Sequence, residues 1–226
     1  MIAENLKKVK QRIDSVHHSQ QVQLIAVSKA RSVTEIKEAV DAGQMHFGEN
    51  YLQESSDKID FFKEKNLIWH FIGPIQSNKT AGIAEKFDWV HSVERFKIAK
   101  RLSDQRPPKL CQLNVLLQVN IDREKTKSGF FLEDIEEIIP EIKKLPNISL
   151  RGFMCIPYPD NAAASFTKMD ELISKYHDLD TLSMGMSADL ELAIEKGATF
   201  VRVGTDIFGE REYNCCLLYP SPSPRD

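Results

Sequence analysis

The sequence predicts a single-domain α/β chain folded as a TIM-type (β/α)8 barrel with an extra N-terminal helix. Three observations predict it: eight short apolar runs, about as many amphipathic segments between them, and a spacing of roughly 25 residues per unit. The 226 residues are 42% hydrophobic and 28% charged, which supplies a core and excludes a disordered chain. The alternation also fits an open doubly wound sheet, the second architecture it allows.

The elements follow in order. Ile2, Leu6, Val9 and Ile13 stand among charged residues at helical spacing, which is no signal-peptide core. The first strand covers 23–27, and Val33, Ile36, Ala39 and Val40 mark a helix that Gly43 closes. A strand at 45–47 precedes a helix over 52–62, and one at 68–72 precedes a helix carrying Ile83, Ala84 and Phe87. The fourth strand, 89–93, leads to Phe96, Ile98, Ala99 and Leu102 on one helical face. The fifth, 113–119, is almost continuously apolar, as in strands covered on both faces, and Ile135, Ile138, Ile139 and Ile142 follow it. A sixth strand at 149–156 precedes Phe166, Met169, Leu172 and Ile173. The seventh, 181–184, precedes Leu190, Leu192, Ala193 and Ile194, with Gly197 as the stop; the eighth is 200–203.

No linker divides residues 1–213, so they form one domain. Residues 214–226 hold two of the four cysteines and three of the ten prolines in an order that fits no element, and read as a disordered or non-native tail. Thirty basic against thirty-three acidic residues leave a net charge of −3 without long like-charge runs, which removes the electrostatic case for nucleic acid or an anionic membrane. No apolar stretch reaches spanning length, and a soluble, cytoplasmic protein is expected. The cysteines form no CxxC and fit reduced structural thiols; no metal site is expected.

In such a barrel the chemistry sits where strands end. Lys29 ends the first strand, and a partly desolvated amine there is suited to Schiff-base chemistry, although most strand-end lysines are merely solvated. Asn50 ends the second, as an amide at the mouth or as the N-cap of the next helix. His91 lies at the end of the fourth, where an imidazole can pack on a planar ligand, whereas His70 reads as a core histidine. The most informative turns follow the last two strands. Ser187, at the expected N-cap, with Gly204 and Thr205 makes a cradle for phosphate, which barrels commonly bind there. Strand eight closes onto strand one, so a ligand with an aldehyde at one end and a phosphate at the other would bridge Lys29 and the cradle; pyridoxal 5′-phosphate is such a ligand. Arg202, beside Lys29, either faces the pyridine nitrogen or forms a strand-end ion pair.

Taken together, Ala26-Val27-Ser28-Lys29, Phe47-Gly48-Glu49-Asn50-Tyr51, Trp69-His70-Phe71-Ile72-Gly73-Pro74-Ile75-Gln76-Ser77-Asn78-Lys79, His91-Ser92-Val93, Lys127-Ser128-Gly129, Ser183-Met184-Gly185-Met186-Ser187 and Val201-Arg202-Val203-Gly204-Thr205 closely resemble the pyridoxal phosphate homeostasis protein family. The resemblance extends from about the first helix to Tyr213. It implies a barrel like the N-terminal domain of alanine racemase and an internal aldimine on Lys29. It also implies phosphate contacts near Ser187, Gly204 and Thr205, and a ring environment that includes Asn50 and Arg202. The function it implies is buffering or delivery of the cofactor without established catalysis. The expected partners are pyridoxal 5′-phosphate and PLP-dependent apo-enzymes, and the expected state is a monomer. The alternative is an amino-acid racemase of the same barrel type, against which stand the missing second, β-rich domain and the lack of a second base. Asp206 departs from the family pattern, since a carboxylate beside the cradle opposes an anion unless it points away.

Overall fold

The computed structural model describes residues 1–124 and 126–210. Eight parallel strands close on one another in chain order: β1 (Gln23–Val27), β2 (His46–Glu49), β3 (Ile68–Phe71), β4 (Trp89–Val93), β5 (Leu113–Val119), β6 (Ile148–Cys155), β7 (Thr181–Ser183) and β8 (Phe200–Val203). Closure comes from β1 pairing with β8, Ile25 opposite Arg202 and Ala26 opposite Val203. The open doubly wound sheet is thereby excluded. The expected tail over 214–226 lies outside the described residues.

On β1, β2 and β8 the side chains alternate between the lumen and the helices, whereas β4 and β6 break the alternation where their pairing with β5 shifts register. On β1 the inward set is Ile25, Val27 and then Lys29; on β2 it is His46, Gly48 and then Asn50; on β8 it is Phe200, Arg202 and then Gly204. The outward set, including Leu24, Ala26, Phe47, Trp69, Val201 and Val203, joins the helices in one apolar cluster. Lys29, Asn50 and Gly204 thus continue the lumen-facing parity of β1, β2 and β8 past the strand ends, and Arg202 holds it within β8.

Between β1 and β8 the strands alternate with α2 (Val33–Asp41), α3 (Leu52–Phe61), α4 (Thr80–Lys86), α5 (Phe96–Gln105), α6 (Ile135–Lys143), α7 (Ala162–Ile173) and α8 (Leu190–Glu195). Ser32 caps α2 in a capping box with Glu35, and Gly43 and Gly197 take left-handed φ of +83° and +89° where α2 and α8 stop. After β8 only one turn forms, α9 (Thr205–Phe208), too short to cover the barrel wall. The N-terminal helix α1 (Ile2–Ser15) takes that place, packing against α2, α8 and α9 and burying Ile2, Leu6, Val9 and Ile13. The helix expected as an addition therefore completes the outer ring. Among the described residues no helix is long and apolar enough to cross a membrane.

Candidate functional site

Six of the seven residues singled out from the sequence meet at the C-terminal mouth. Lys29, Asn50, Ser187, Arg202, Gly204 and Thr205 line one cavity of about 330 Å³ with Val27, Arg31, Ile72, Ile156, Met186 and Ala188. Lys29 is half-buried there. Arg202 is 5% exposed; its Nη1 donates to Ser183 Oγ at 2.6 Å and its Nη2 to the Cys155 carbonyl at 3.0 Å. Neither contact is a carboxylate, so the ion-pair alternative for Arg202 is not realised, and burial lowers its pKa.

Three local expectations are corrected. Asn50 does not cap α3, whose N-cap is Tyr51 without a side-chain hydrogen bond; the Asn50 Oδ1 is buried and has no hydrogen-bond partner. Ser187 does not cap α8 either. The cap position belongs to Asp189, whose Oδ1 accepts from the Met186 amide at 2.6 Å, so the Met186–Asp189 turn leaves Ser187 at the cavity wall. His91 lies outside the cavity wall. It is two residues before the end of β4, hence one layer below the mouth, fully buried, with Nε2 2.9 Å from His70 Nδ1 and Nδ1 2.8 Å from Ser183 Oγ. Both of its ring nitrogens are engaged, and its ring stacks on Phe200 at 5.7 Å.

Several residues that hold the site carry no local sequence signal. The backbone on both sides of Lys29 is fixed by a buried ionic cluster: Lys58 Nζ donates to the Ser28 carbonyl at 2.8 Å and to Glu49 Oε1 at 2.9 Å, and Ser28 Oγ donates to the same Oε1 at 2.6 Å. Glu54 Oε1 accepts from the amide of Ala30 at 2.6 Å. Ala30 has φ +58°, a conformation that costs a residue with a Cβ about 1–3 kcal/mol and persists only where its surroundings impose it. Burial raises the pKa of Glu49, against the opposing pull of Lys58. Gly73 serves Asn50 in another way, because a Cβ there would sit 2.2 Å from the Asn50 carbonyl oxygen.

The cradle side is fixed from α1. Arg12 Nη2 donates to the Ser187 carbonyl at 3.0 Å, its Nη1 to Asp206 Oδ2 at 2.6 Å, and its Nε to Glu191 Oε1 at 2.6 Å. Asp206 is thereby turned toward α1, which answers the objection its charge raised against anion binding. Arg31, in the loop after β1, borders the same turn: it lies over the Phe208 ring at 5.7 Å and donates to the carbonyls of Phe208 and Gly209. A lysine, a buried guanidinium, an unsatisfied amide oxygen and a small-residue turn therefore face one space.

The family model for the alanine racemase N-terminal domain matches residues 1–212. The pyridoxal phosphate homeostasis protein of Pseudomonas aeruginosa is 52% identical over 222 residues, covering 94% of this chain and 96% of that one. That of Vibrio cholerae is 49% identical over 230 residues, covering 94% and 98%. The chain belongs to the pyridoxal phosphate homeostasis protein family. Among solved structures, PipY of Synechococcus elongatus with PLP bound superposes with a TM-score of 0.81 at 35% identity, covering 92% of this chain and 100% of that one. An alanine racemase from Corynebacterium glutamicum shares the fold at 19% identity and a TM-score of 0.66, with 62% of its length covered. The homeostasis family is thus the near relation and the racemases share the barrel.

Proposed function

We propose that this protein holds pyridoxal 5′-phosphate on Lys29, as a monomeric cytoplasmic reservoir that delivers the cofactor to PLP-dependent apo-enzymes and does not itself catalyse a reaction. One observation carries the reading: Lys29 and the Ser187, Gly204 and Thr205 cradle line the same cavity, with Arg202 in its wall. The residues fit the group. Asn50 Oδ1 is a buried acceptor that lacks a donor, and a polar ligand in the cavity can supply one. When bound, the cofactor supplies an aldehyde that condenses with a primary amine.

Each side chain then has a definable task. Lys29 provides the amine, Ser187 and Thr205 provide hydroxyl donors, and the first amides of α9, which have no intrahelical acceptor, complete the phosphate contacts. Arg202 takes the ring nitrogen. A guanidinium is permanently protonated, so it donates to that nitrogen and keeps it from acquiring a proton, which withholds the electron sink that carbanion chemistry needs. This supports binding over racemisation.

The test is spectroscopic and chemical. Purified protein mixed with the cofactor should show an absorption band that Lys29→Ala abolishes, and borohydride reduction followed by peptide mapping should mark Lys29. Labelling of Lys79 or Lys127 instead would refute the assignment. Rapid racemisation of alanine by the loaded protein would overturn the non-catalytic part alone.

A further inference from the structure

A line of side chains crosses the barrel lumen from its lower face to Arg202. His46 Nδ1 lies 3.0 Å from His70 Nε2, His70 Nδ1 lies 2.9 Å from His91 Nε2, His91 Nδ1 lies 2.8 Å from Ser183 Oγ, and Ser183 Oγ lies 2.6 Å from Arg202 Nη1. The five residues come from β2, β3, β4, β7 and β8, and all but the half-buried His46 are buried. Trp89 stacks on His70 at 5.8 Å and Phe200 on His91 at 5.7 Å, which restricts both rings.

The donors of this line can be assigned by elimination. A guanidinium donates and never accepts, so Ser183 Oγ is the acceptor of Arg202. The hydroxyl hydrogen of Ser183 then needs an acceptor, and its other side-chain partner is His91 Nδ1. His91 therefore carries its proton on Nε2 and donates to His70 Nδ1; His70 carries its own on Nε2 and donates to His46 Nδ1; His46 is left with Nε2–H. The opposite polarity would strand the Ser183 hydroxyl hydrogen in a dry lumen. A further proton on the line would add a second positive charge behind a buried guanidinium that no carboxylate pairs, and burial also lowers the pKa of all three rings.

We propose that His46, His70, His91 and Ser183 are positioning residues, a neutral, one-directional hydrogen-bonded line of Nε2–H imidazoles that fixes the plane in which Arg202 faces the cofactor cavity. Its role toward the cofactor rests on the reading of Arg202 given above; its protonation pattern does not.

The first arm therefore uses cofactor-free protein labelled with ¹⁵N at histidine and arginine. Two-bond ¹H–¹⁵N correlations at neutral pH should show His46, His70 and His91 all neutral, with the hydrogen on Nε2 and Nδ1 acting as acceptor. One Nδ1–H ring or one imidazolium among the three would overturn the line. The Arg202 Nη1 signal should be held in one environment in the parent and in Ser183→Thr, which keeps the hydroxyl, and should shift in Ser183→Ala, where the Cys155 carbonyl still holds Nη2; an unchanged Nη1 signal in Ser183→Ala would also overturn it. The second arm titrates pyridoxal 5′-phosphate. Ser183→Ala should bind about tenfold more weakly with a displaced absorption maximum, and Ser183→Thr should stay close to the parent. Unchanged affinity and spectrum in Ser183→Ala, with the first arm as expected, would overturn Arg202 as the cofactor contact and leave the line standing.

Discussion

Asn50 sets the stability of the fold against its proposed part in binding. Its Oδ1 is buried without a hydrogen-bond partner from the protein, and an unsatisfied buried acceptor costs about 1–3 kcal/mol. Asn50→Leu, close in shape and apolar, should raise the unfolding free energy of cofactor-free protein by about 1 kcal/mol while weakening pyridoxal 5′-phosphate binding. Denaturant titration without ligand and affinity measured separately would check it; a loss in both would mean that Asn50 is merely structural. Asn50, Lys29, Arg202 and Gly204 were legible because strand parity is a local property: two residues beyond the last inward position of a strand is again inward. His91 was misplaced for the same reason, since two residues before a strand end is a layer too deep. Lys58 and Glu54 were not legible, because nothing in a helix sequence says which strand end it will brace.

The elements were legible to within a residue or two wherever periodicity ran long, as for β4 and β5, and least so where packing decides. The role of α1 is of the second kind. Its amphipathic stripe predicts a helix, but only closure of the ring shows that it stands in for the helix that α9 is too short to provide. Its Arg12 ties the turn after β7 to the one after β8 through the Ser187 carbonyl, Glu191 and Asp206. Arg12→Ala should therefore loosen the phosphate cradle without touching the amine. Affinity for pyridoxal 5′-phosphate should fall about tenfold, equivalent to about 1.4 kcal/mol, whereas affinity for pyridoxal, which lacks the phosphate, should change little. Parallel titration of the two ligands separates this from general destabilisation, which would lower both.

At the scale of the whole molecule, the buried imidazoles make stability depend on pH in a window of their own. Desolvation lowers the pKa of His46 to about 4, and burial holds His70 and His91 well below the usual imidazole range, with His46 and His91 adding to the effect on His70 and Arg202 to that on His91. In the unfolded chain each histidine titrates near about 6.5. Below that pH the unfolded state binds protons that the folded state refuses, so the stability these rings contribute is present above about pH 6.5 and drains away as the pH falls. The slope is on the order of 1.4 kcal/mol per pH unit for each ring that stays neutral, and between about pH 6 and about pH 5 the carboxylates that burial pushes up, Glu49 and Asp88, subtract from it. Denaturant unfolding across that interval should show uptake of more than one proton, and His46→Gln should reduce the slope by close to one. A flat profile would mean that the rings protonate inside the folded barrel, which the stacking of Trp89 on His70 and of Phe200 on His91, with the charge of Arg202 nearby, opposes.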